Sequence, residues 1–210
     1  MQQVYGLIHS HDGMNASQRA IKRFADVVCA ILGMIILSPL FIIIAISLKI
    51  WGKGSVIFSQ ERIGYKARPF TIYKFRTMND DGQDEETQLI TERDIKNMTN
   101  MRRFIRLHHF DELPQLWNVL KGEMSIVGPR PERKYFIDKI MNEDPDYILI
   151  YEMKPGLTSE ATLYNGYTDT MEKMLRRLHI DIHYLKNRSL ALDCRIICDT
   201  ILFLIRGKKF

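Results

Sequence analysis

An uncharged stretch from Val27 to Leu48 constrains this chain more than any other feature of its sequence. It contains about twenty residues, the length that an α-helix needs to cross the ~30 Å hydrocarbon core of a bilayer. A cleavable secretory signal does not explain it, because the stretch starts too late and no small-residue cleavage site follows. A single transmembrane helix is the simplest interpretation.

Two observations favour a different path through the membrane. Ser38-Pro39 falls in the middle of the stretch, and proline removes an amide donor and kinks or breaks a helix. The flanks on both sides are basic, with Arg19, Lys22 and Arg23 before the stretch and Lys49 and Lys53 after it. Because short basic flanks favour the cytoplasmic side, both ends are expected there. A re-entrant helical hairpin broken at Ser38-Pro39 satisfies both observations, and a straight span containing proline remains the alternative.

The stretch divides the chain into a poorly ordered polar tail at residues 1–18, the hairpin at 19–50 and a head at 51–210. We expect the head to be α/β and mostly α. The patterns predict strands at 56–58, 69–75 and 125–127, a loop at 154–169, and helices at 94–105, 111–120, 132–140, 147–153, 170–187 and 191–205. The last helix has an apolar face and a basic end, so it either lies in the membrane interface or docks on the core. The acidic segment 79–88 has no fixed metal-ligand spacing and is predicted to be solvated.

The charge balance points to an anionic partner. The net charge is +5 and the isoelectric point is near 9.1, which suits an acidic lipid or a phosphorylated substrate. A nucleic acid is not expected, because neither a recognised binding fold nor interleaved aromatic and basic residues occur. Cys29, Cys194 and Cys198 form no disulfide framework or zinc pattern, which fits a reducing, cytosol-facing location.

The candidate chemistry lies between residues 106 and 131, where Asp111 and Glu112 precede a short helix with Pro114 in its first turn. A helix N-terminus attracts phosphate and keeps a carboxylate ionised. An ionised Asp can attack phosphorus without a separate base. The structural alternative is that Asp111 is an ordinary N-cap.

Arginines on both sides of this pair favour the catalytic interpretation. Arg106 could clamp a diphosphate, since a guanidinium matches phosphate oxygens in a bidentate manner. Arg130 lies between Pro129 and Pro131, which restrict the backbone around it, and Gly128 allows a close backbone approach. The segment would present a cation rigidly.

Seven motifs occur in a fixed order, and the resemblance that they carry covers residues 19 to about 205. They are KRFADVV with the hydrophobic run and Ser38-Pro39, QERIG at 60–64, KFRTM at 74–78, DELPQL at 111–116, NVLKG at 118–122, VGPRP at 127–131 and KPGLT at 154–158. In this set and order the chain resembles the bacterial sugar transferase family, the monotopic phosphoglycosyl transferases. One motif would be weak, and the ordered set makes a chance match improbable.

The resemblance implies that Asp111 attacks the β-phosphate of a UDP-sugar, releases UMP and forms an aspartyl phospho-sugar. A polyprenyl phosphate such as undecaprenyl phosphate would then accept the phospho-sugar. Glu112 would assist Mg²⁺ placement or proton transfer, so Asp111 and Glu112 are the implied Mg²⁺ ligands. The implied substrate-binding residues are Lys74, Arg76, Arg106, Pro129 and Arg130.

The resemblance also implies a place in the cell, the cytoplasmic face of the bacterial inner membrane, where a soluble donor meets a lipid acceptor. The product would initiate surface polysaccharide or glycoconjugate assembly. A homodimer is compatible with the sequence, which does not decide the oligomeric state. Larger members carry extra membrane spans, so this chain is expected to be the minimal catalytic unit. After KPGLT, many members continue with G-x-x-Q-V-x-G-R, whereas this chain has SEATLYNGY at 159–167. The identity of the sugar is therefore not predicted.

Two other functions fit part of the pattern. A non-catalytic adaptor that binds anionic lipid would tolerate Asp111→Asn, but it leaves the rigid Gly128-Pro129-Arg130-Pro131 segment unexplained. A glycosyltransferase that moves the sugar without its phosphate would release UDP. The released nucleotide distinguishes it from the family's reaction.

Overall fold

The computed structural model describes residues 12–51, 54–78, 98–165 and 168–206. The elements in chain order are α1 (Ala16–Ile36), α2 (Ser38–Trp51), β1 (Ile57–Ile63), β2 (Pro69–Phe75), α3 (Asn100–Leu107), α4 (Gln115–Lys121), β3 (Ser125–Val127), α5 (Lys134–Glu143), β4 (Gly156–Thr158), α6 (Glu160–Tyr164), α7 (Met171–Asn187) and α8 (Leu190–Arg206), with 3₁₀ turns at Tyr65–Ala67, Phe110–Glu112 and Pro145–Glu152. Helices dominate the described residues and the strands form two small sheets, which confirms the mostly helical α/β class. The acidic segment 79–88 lies outside the described residues.

The uncharged stretch forms a bent pair of helices. The helix is interrupted at Leu37, and the axes of α1 and α2 differ by 60°. The Ser38 hydroxyl donates a hydrogen bond to the Ile35 carbonyl at 2.8 Å, while Pro39 lies in the first turn of α2, where its missing amide is tolerated. Within the described ranges, no single helix is long and apolar enough to cross a membrane, and the bent pair reaches that length and composition only together.

The prediction of a poorly ordered tail up to residue 18 is wrong for residues 12–18, and residues 1–11 lie outside the described part. Helix α1 begins at Ala16, where Asn15 forms a reciprocal capping box with Gln18. Asp12 pairs with Arg188 at 2.5 Å, and Met14 is buried. These contacts join residues far apart in sequence, which local composition does not reveal.

Helix α1 packs along the head, chiefly against α4. The Arg23 guanidinium donates to the Val119 and Leu120 carbonyls at 2.6 and 3.0 Å, at the end of α4. The buried Asp26 carboxylate accepts hydrogen bonds from the Ser125 hydroxyl at 2.8 Å and the Ile126 amide at 3.0 Å in β3. Helix α1 is therefore tied to the elements that flank the candidate site.

Strands β1 and β2 form an antiparallel hairpin in which Ile57 pairs with Phe75 and Ile63 with Pro69. This confirms the predicted strands on either side of Gly64, although β1 extends further along the chain than predicted. Ile72 and Phe75 of β2 are buried. The hairpin thereby fixes Lys74, which lies between them in the same strand.

The predicted loop at 154–169 is wrong, because it contains β4 and α6. Strand β4 pairs in parallel with β3, and so short a strand depends on a partner distant in sequence. The two backbones approach very closely, since a Cβ atom on Gly128 would lie 2.3 Å from the Lys154 carbonyl oxygen. This close approach positions the segment that follows β3, which carries Arg130.

The last helix, α8, docks on the core, which is one of its two predicted alternatives. Ile196 is buried in the main core, which also contains Leu178 and Leu185 of α7. Near the C-terminal end of α8, Ile201 and Leu202 are exposed. The helix docks on the core through one end and presents an apolar surface at the other.

Candidate active site

Asp111 and Glu112 lie in a tight turn between α3 and α4. His109 adopts a left-handed conformation with φ of 54°, and Phe110–Glu112 form a 3₁₀ turn before Pro114, the N-cap of α4. Neither the turn nor α4 has a side-chain capping bond. The alternative that Asp111 is an N-cap is therefore wrong, because no cap hydrogen bond uses its carboxylate.

The Glu112 carboxylate is held by two of the predicted phosphate-binding cations. Its Oε1 atom accepts from the Lys74 ammonium at 2.7 Å and from Arg130 Nη2 at 3.0 Å. Its Oε2 atom lies 3.5 Å from Arg130 Nη1. Strand β2 supplies Lys74, and the rigid segment after β3 supplies Arg130.

Asp111 is the less satisfied partner of the pair. It is 4% exposed, and its buried Oδ1 atom has no hydrogen-bond partner among the described residues. Leaving a buried polar atom unpaired costs free energy. Such an atom, next to a cluster of cations, makes this location the candidate active site.

The remaining predicted substrate-binding residues have different neighbours. Arg106 donates to the Thr77 hydroxyl at 3.3 Å and is one of the charges that act on Asp111. The Arg76 guanidinium lies over the Phe58 ring, 5.8 Å from its centroid. The Pro129 carbonyl accepts from the Gly156 amide at 2.9 Å, so Pro129 anchors the segment to β4.

The environment separates the pKa values of the two carboxyl groups. Burial, reinforced by the neighbouring Glu112 charge, raises the pKa of Asp111 to about 6. Burial acts on Glu112 as well, but Arg130, Lys74 and His109 outweigh it and hold the pKa of Glu112 well below its usual range. Of the two carboxyl groups, Asp111 is therefore the weaker acid.

Burial also affects the basic residues around the pair. It lowers the pKa of Lys74, opposed by the charge of Glu112. It lowers the pKa of His109, which the turn places among Glu112, Arg130 and Lys74. The inward position of His109 depends on its left-handed backbone, which the sequence does not reveal.

Asp111 and Glu112 were also the predicted Mg²⁺ ligands. In the described part of the chain, no three His, Cys, Asp or Glu side chains are grouped as a metal site. Mg²⁺ often binds one or two carboxylates together with substrate phosphates. The unpartnered Asp111 Oδ1 atom and the loosely held Glu112 Oε2 atom fit that donor set.

Sequence reasoning missed a second charged cluster beside Arg130. The Glu132 carboxylate pairs with Arg177 of α7 and lies 3.6 Å from Arg62 of β1. Arg62 belongs to the QERIG motif and Glu132 directly follows Pro131, which were signals for both residues. Nothing local in α7 singles out Arg177.

Comparisons with known proteins agree with the motif pattern. The family model described as "Bacterial sugar transferase" matches residues 17–207. The UDP-N-acetylgalactosamine-undecaprenyl-phosphate N-acetylgalactosaminephosphotransferase of Aeromonas hydrophila is 36% identical over 187 residues, 89% of this chain and 44% of that protein. The UDP-glucose:undecaprenyl-phosphate glucose-1-phosphate transferase of Klebsiella pneumoniae is 37% identical over 190 residues, 90% of this chain and 41% of that protein.

A relative of similar length also matches. The exopolysaccharide production protein PSS of Rhizobium leguminosarum bv. phaseoli is 34% identical over 196 residues, 90% of this chain and 98% of that protein. The chain thus spans less than half the length of the Aeromonas and Klebsiella relatives and nearly all of the Rhizobium protein's.

Proposed function

Since the chain belongs to the bacterial sugar transferase family, we propose that it transfers a sugar-1-phosphate from a UDP-sugar to undecaprenyl phosphate or a similar polyprenyl phosphate. The relatives from Aeromonas and Klebsiella are named for this type of transfer. The observation that carries the proposal is the buried Asp111 carboxyl, whose unpartnered oxygen lies in a cluster with Arg130, Lys74 and Arg106. We expect the product to feed surface polysaccharide or glycoconjugate assembly.

Asp111 is the proposed nucleophile. One of its carboxylate oxygens bonds to the β-phosphorus of the donor, and the bond from that phosphorus to the oxygen bridging to the α-phosphate breaks. UMP leaves with the bonding electrons. A phosphate oxygen of the polyprenyl phosphate then attacks the phosphorus of the aspartyl phospho-sugar, and the Asp111 carboxylate is released for the next cycle.

Glu112 has a different proposed role. Its low pKa keeps it ionised, and its oxygens are already bound by Lys74 and Arg130. An anion in that state is a poor proton donor. We propose that Glu112 orients these two cations for the donor's phosphates. Of the two roles that the family resemblance implies, its ionised state favours assistance in Mg²⁺ placement over proton transfer.

Donor entry needs some rearrangement of the site. Asp111 is 4% exposed, whereas the Arg130 side chain is 35% exposed. A diphosphate that binds Arg130 first would draw it from Glu112 and open the path to Asp111. Arg106, one turn from the pair, is placed to bind the same diphosphate, and Arg76 remains a proposed phosphate ligand.

Mg²⁺ is the proposed cofactor. Asp111 and Glu112 would hold it through carboxylate oxygens together with phosphate oxygens of the donor. When bound, the ion would neutralise charge that develops on the departing UMP.

The bent helix pair is the proposed membrane anchor, with the head on the cytoplasmic face of the inner membrane. Many large apolar side chains of the pair are exposed, including Ile31, Leu32, Ile35, Ile36, Ile42, Ile43, Ile46 and Ile50. An exposed apolar surface of this kind favours lipid contact. Ile201 and Leu202 of α8 would lie at the same interface.

Contacts with the head now give the main reason for a re-entrant path. Lys22 pairs with Asp193 at 2.6 Å, and Arg23 is engaged with α4. Because these residues serve protein contacts, their charge is a weaker topology signal than the sequence suggested. The same contacts hold the start of α1 against the head, and α2 leads into the head at its other end. These contacts support the proposal that both ends of the pair lie on one side of the membrane.

The test is the nucleotide released by purified, detergent-solubilised protein. It is incubated with undecaprenyl phosphate, Mg²⁺ and either UDP-glucose or UDP-N-acetylgalactosamine, followed by a wider panel of UDP-sugars. We expect UMP from at least one donor, and its loss on chelation of Mg²⁺. Release of UDP instead would support a simple glycosyltransferase, and no nucleotide from any donor of the wide panel would support the adaptor function.

A further inference from the structure

The segment that carries Arg130 is held on both sides by other elements. The Pro129 carbonyl accepts from the Gly156 amide of β4 at 2.9 Å. The Pro131 carbonyl accepts from Arg62 Nη1 at 3.1 Å, and the Glu132 carbonyl accepts from the Ile63 amide at 3.3 Å. Strands β4 and β1 thereby fix the backbone around Arg130, but these bonds do not decide where its long side chain points.

Arg130 lies near three carboxylates, those of Asp111, Glu112 and Glu132. It is bound to Glu112, and the charges of both Glu112 and Glu132 raise its pKa, with Glu112 the stronger cause. Arg130 and Glu132 also line one cavity, together with Arg177 and Asp181. In this position the Arg130 guanidinium could turn toward either Glu112 or Glu132.

Glu132 is occupied by other arginines. The Arg177 guanidinium donates to its Oε1 atom, and Arg62 Nη1 lies 3.6 Å from its Oε2 atom. All three side chains are at most 16% exposed, so water screens these charges little. Removal of the Arg177 charge would leave Glu132 undersatisfied, and after Arg62 the next strongest cationic influence on Glu132 is Arg130.

We propose that Arg177, together with Arg62, is a positioning residue that acts through Glu132 and keeps the Arg130 guanidinium directed at Glu112. Within the described part of the chain Arg177 pairs with Glu132 and not with Asp111 or Glu112, and it comes from α7, far along the chain. Helix α7 thus contributes to the geometry of the candidate site. The inference rests on the proposed function, because Arg130 is expected to bind the donor's diphosphate there.

The test compares three single variants with the wild type, using whichever of UDP-glucose and UDP-N-acetylgalactosamine the wild type turns over. Arg177→Gln removes the charge, Arg177→Lys keeps it, and Arg176→Ala changes an exposed neighbour in the same helix. We expect Arg177→Gln to raise the donor KM roughly tenfold, equivalent to about 1.4 kcal/mol, with a smaller change in kcat. Arg177→Lys should recover most of the loss, and Arg176→Ala should match the wild type.

A double variant separates positioning from general destabilisation. Glu132→Gln in the Arg177→Gln background removes the acid that would compete for Arg130, so the donor KM should return toward the wild-type value. Melting temperatures are measured alongside. A donor KM for Arg177→Gln within about twofold of wild type, or no recovery in the double variant, would overturn the inference.

Hydrogen exchange keeps this test distinct from that of the proposed function. If the wild type releases no nucleotide, the proposed function fails by itself. Arg177→Gln should still speed amide exchange at Glu132 and Arg133 relative to Arg176→Ala, because the Glu132 side chain loses its main partner. Unchanged exchange at these residues would contradict the proposed action of Arg177 through Glu132, whether or not the protein is active.

Discussion

Asp111 and Glu112 are adjacent and both buried, yet they carry opposite pKa shifts. The difference comes from partners, since Glu112 binds Lys74 and Arg130 while Asp111 Oδ1 has no partner among the described residues. An unpaired buried carboxyl destabilises the fold, and the same feature leaves it available to a substrate. The folded state is therefore less stable than it would be with a paired or neutral side chain at this position, a cost that functional sites commonly carry.

The raised pKa of Asp111 predicts how Asp111→Asn changes the free energy of unfolding. The pKa of Asp111 is raised from 3.8 to about 6, so the folded state binds more protons than the unfolded state between these values. Wild-type stability therefore falls as the pH rises through this window and stays reduced above it. Asn carries no charge, so the variant should be more stable near neutral pH, by up to about 3 kcal/mol.

Urea unfolding of both proteins in detergent at about pH 7.5 and about pH 4.5 checks this prediction. The advantage of Asp111→Asn should shrink at the lower pH. The exposed Asp138→Asn is the matched control and should shift neither curve in this way. A variant less stable than the wild type near neutral pH would show that Asp111 makes a stabilising interaction.

At the scale of elements, the β3–β4 pair controls the geometry of the Arg130 segment. Gly128 and Gly156 let the two backbones touch, and no side chain fits between them. This parallel pair explains the glycine in both the VGPRP and KPGLT motifs. It also joins two segments that the sequence presents as separate.

Gly128→Ala should damage both stability and the site. Its Cβ would lie 2.3 Å from the Lys154 carbonyl oxygen, which is backbone and cannot rotate away. We expect a loss of about 1–3 kcal/mol or more, together with reduced UMP release. The control is Gly33→Ala, whose Cβ meets only the Leu116 side chain, at 3.2 Å, and whose stability should stay within about 1 kcal/mol of wild type. Melting curves and nucleotide release measure both, and equal behaviour of the two variants would contradict the prediction.

Elements built from local signals were predictable, and elements that need a distant partner were not. The Ser38-Pro39 break, the β1–β2 hairpin and α7 follow from proline, strand alternation and helical periodicity within each segment. Strand β4 was not predicted, because three residues of a Gly- and Thr-rich segment form a strand only when they pair with β3. The site divides similarly, because short motifs contained Asp111, Glu112, Lys74 and Arg130, whereas the role of Arg177 depends on tertiary packing.

At the scale of the whole molecule, α1 is both the candidate membrane element and a supporting wall of the site. Its Asp26 carboxylate binds β3 and its Arg23 guanidinium binds the end of α4. The opposite side of the helix exposes Phe24, Ile31 and Ile35. We infer that membrane docking and site geometry are coupled through this helix.

The re-entrant path predicts that Gln18 and Ser55 lie on the same, cytoplasmic side. Single cysteines at these positions, in a background without the exposed Cys29, Cys194 and Cys198, should resist a membrane-impermeant thiol reagent in intact cells and react after lysis. A cysteine in place of Leu37, at the break, is the control and should react only after detergent is added. Labelling of residue 18 from outside the cell would establish a straight span and require that the contacts of Arg23 be broken.

The most direct test of the central claim is detection of the phospho-sugar on Asp111. Wild-type protein is incubated with Mg²⁺ and the active UDP-sugar in the absence of polyprenyl phosphate, quenched, and analysed by intact mass and peptide fragmentation. We predict a mass increase of one phospho-sugar located on Asp111, with a matching burst of UMP, in the wild type and in Asp138→Asn but not in Asp111→Asn. A UMP burst that persists in Asp111→Asn, or an adduct on another residue, would show that Asp111 is not the nucleophile.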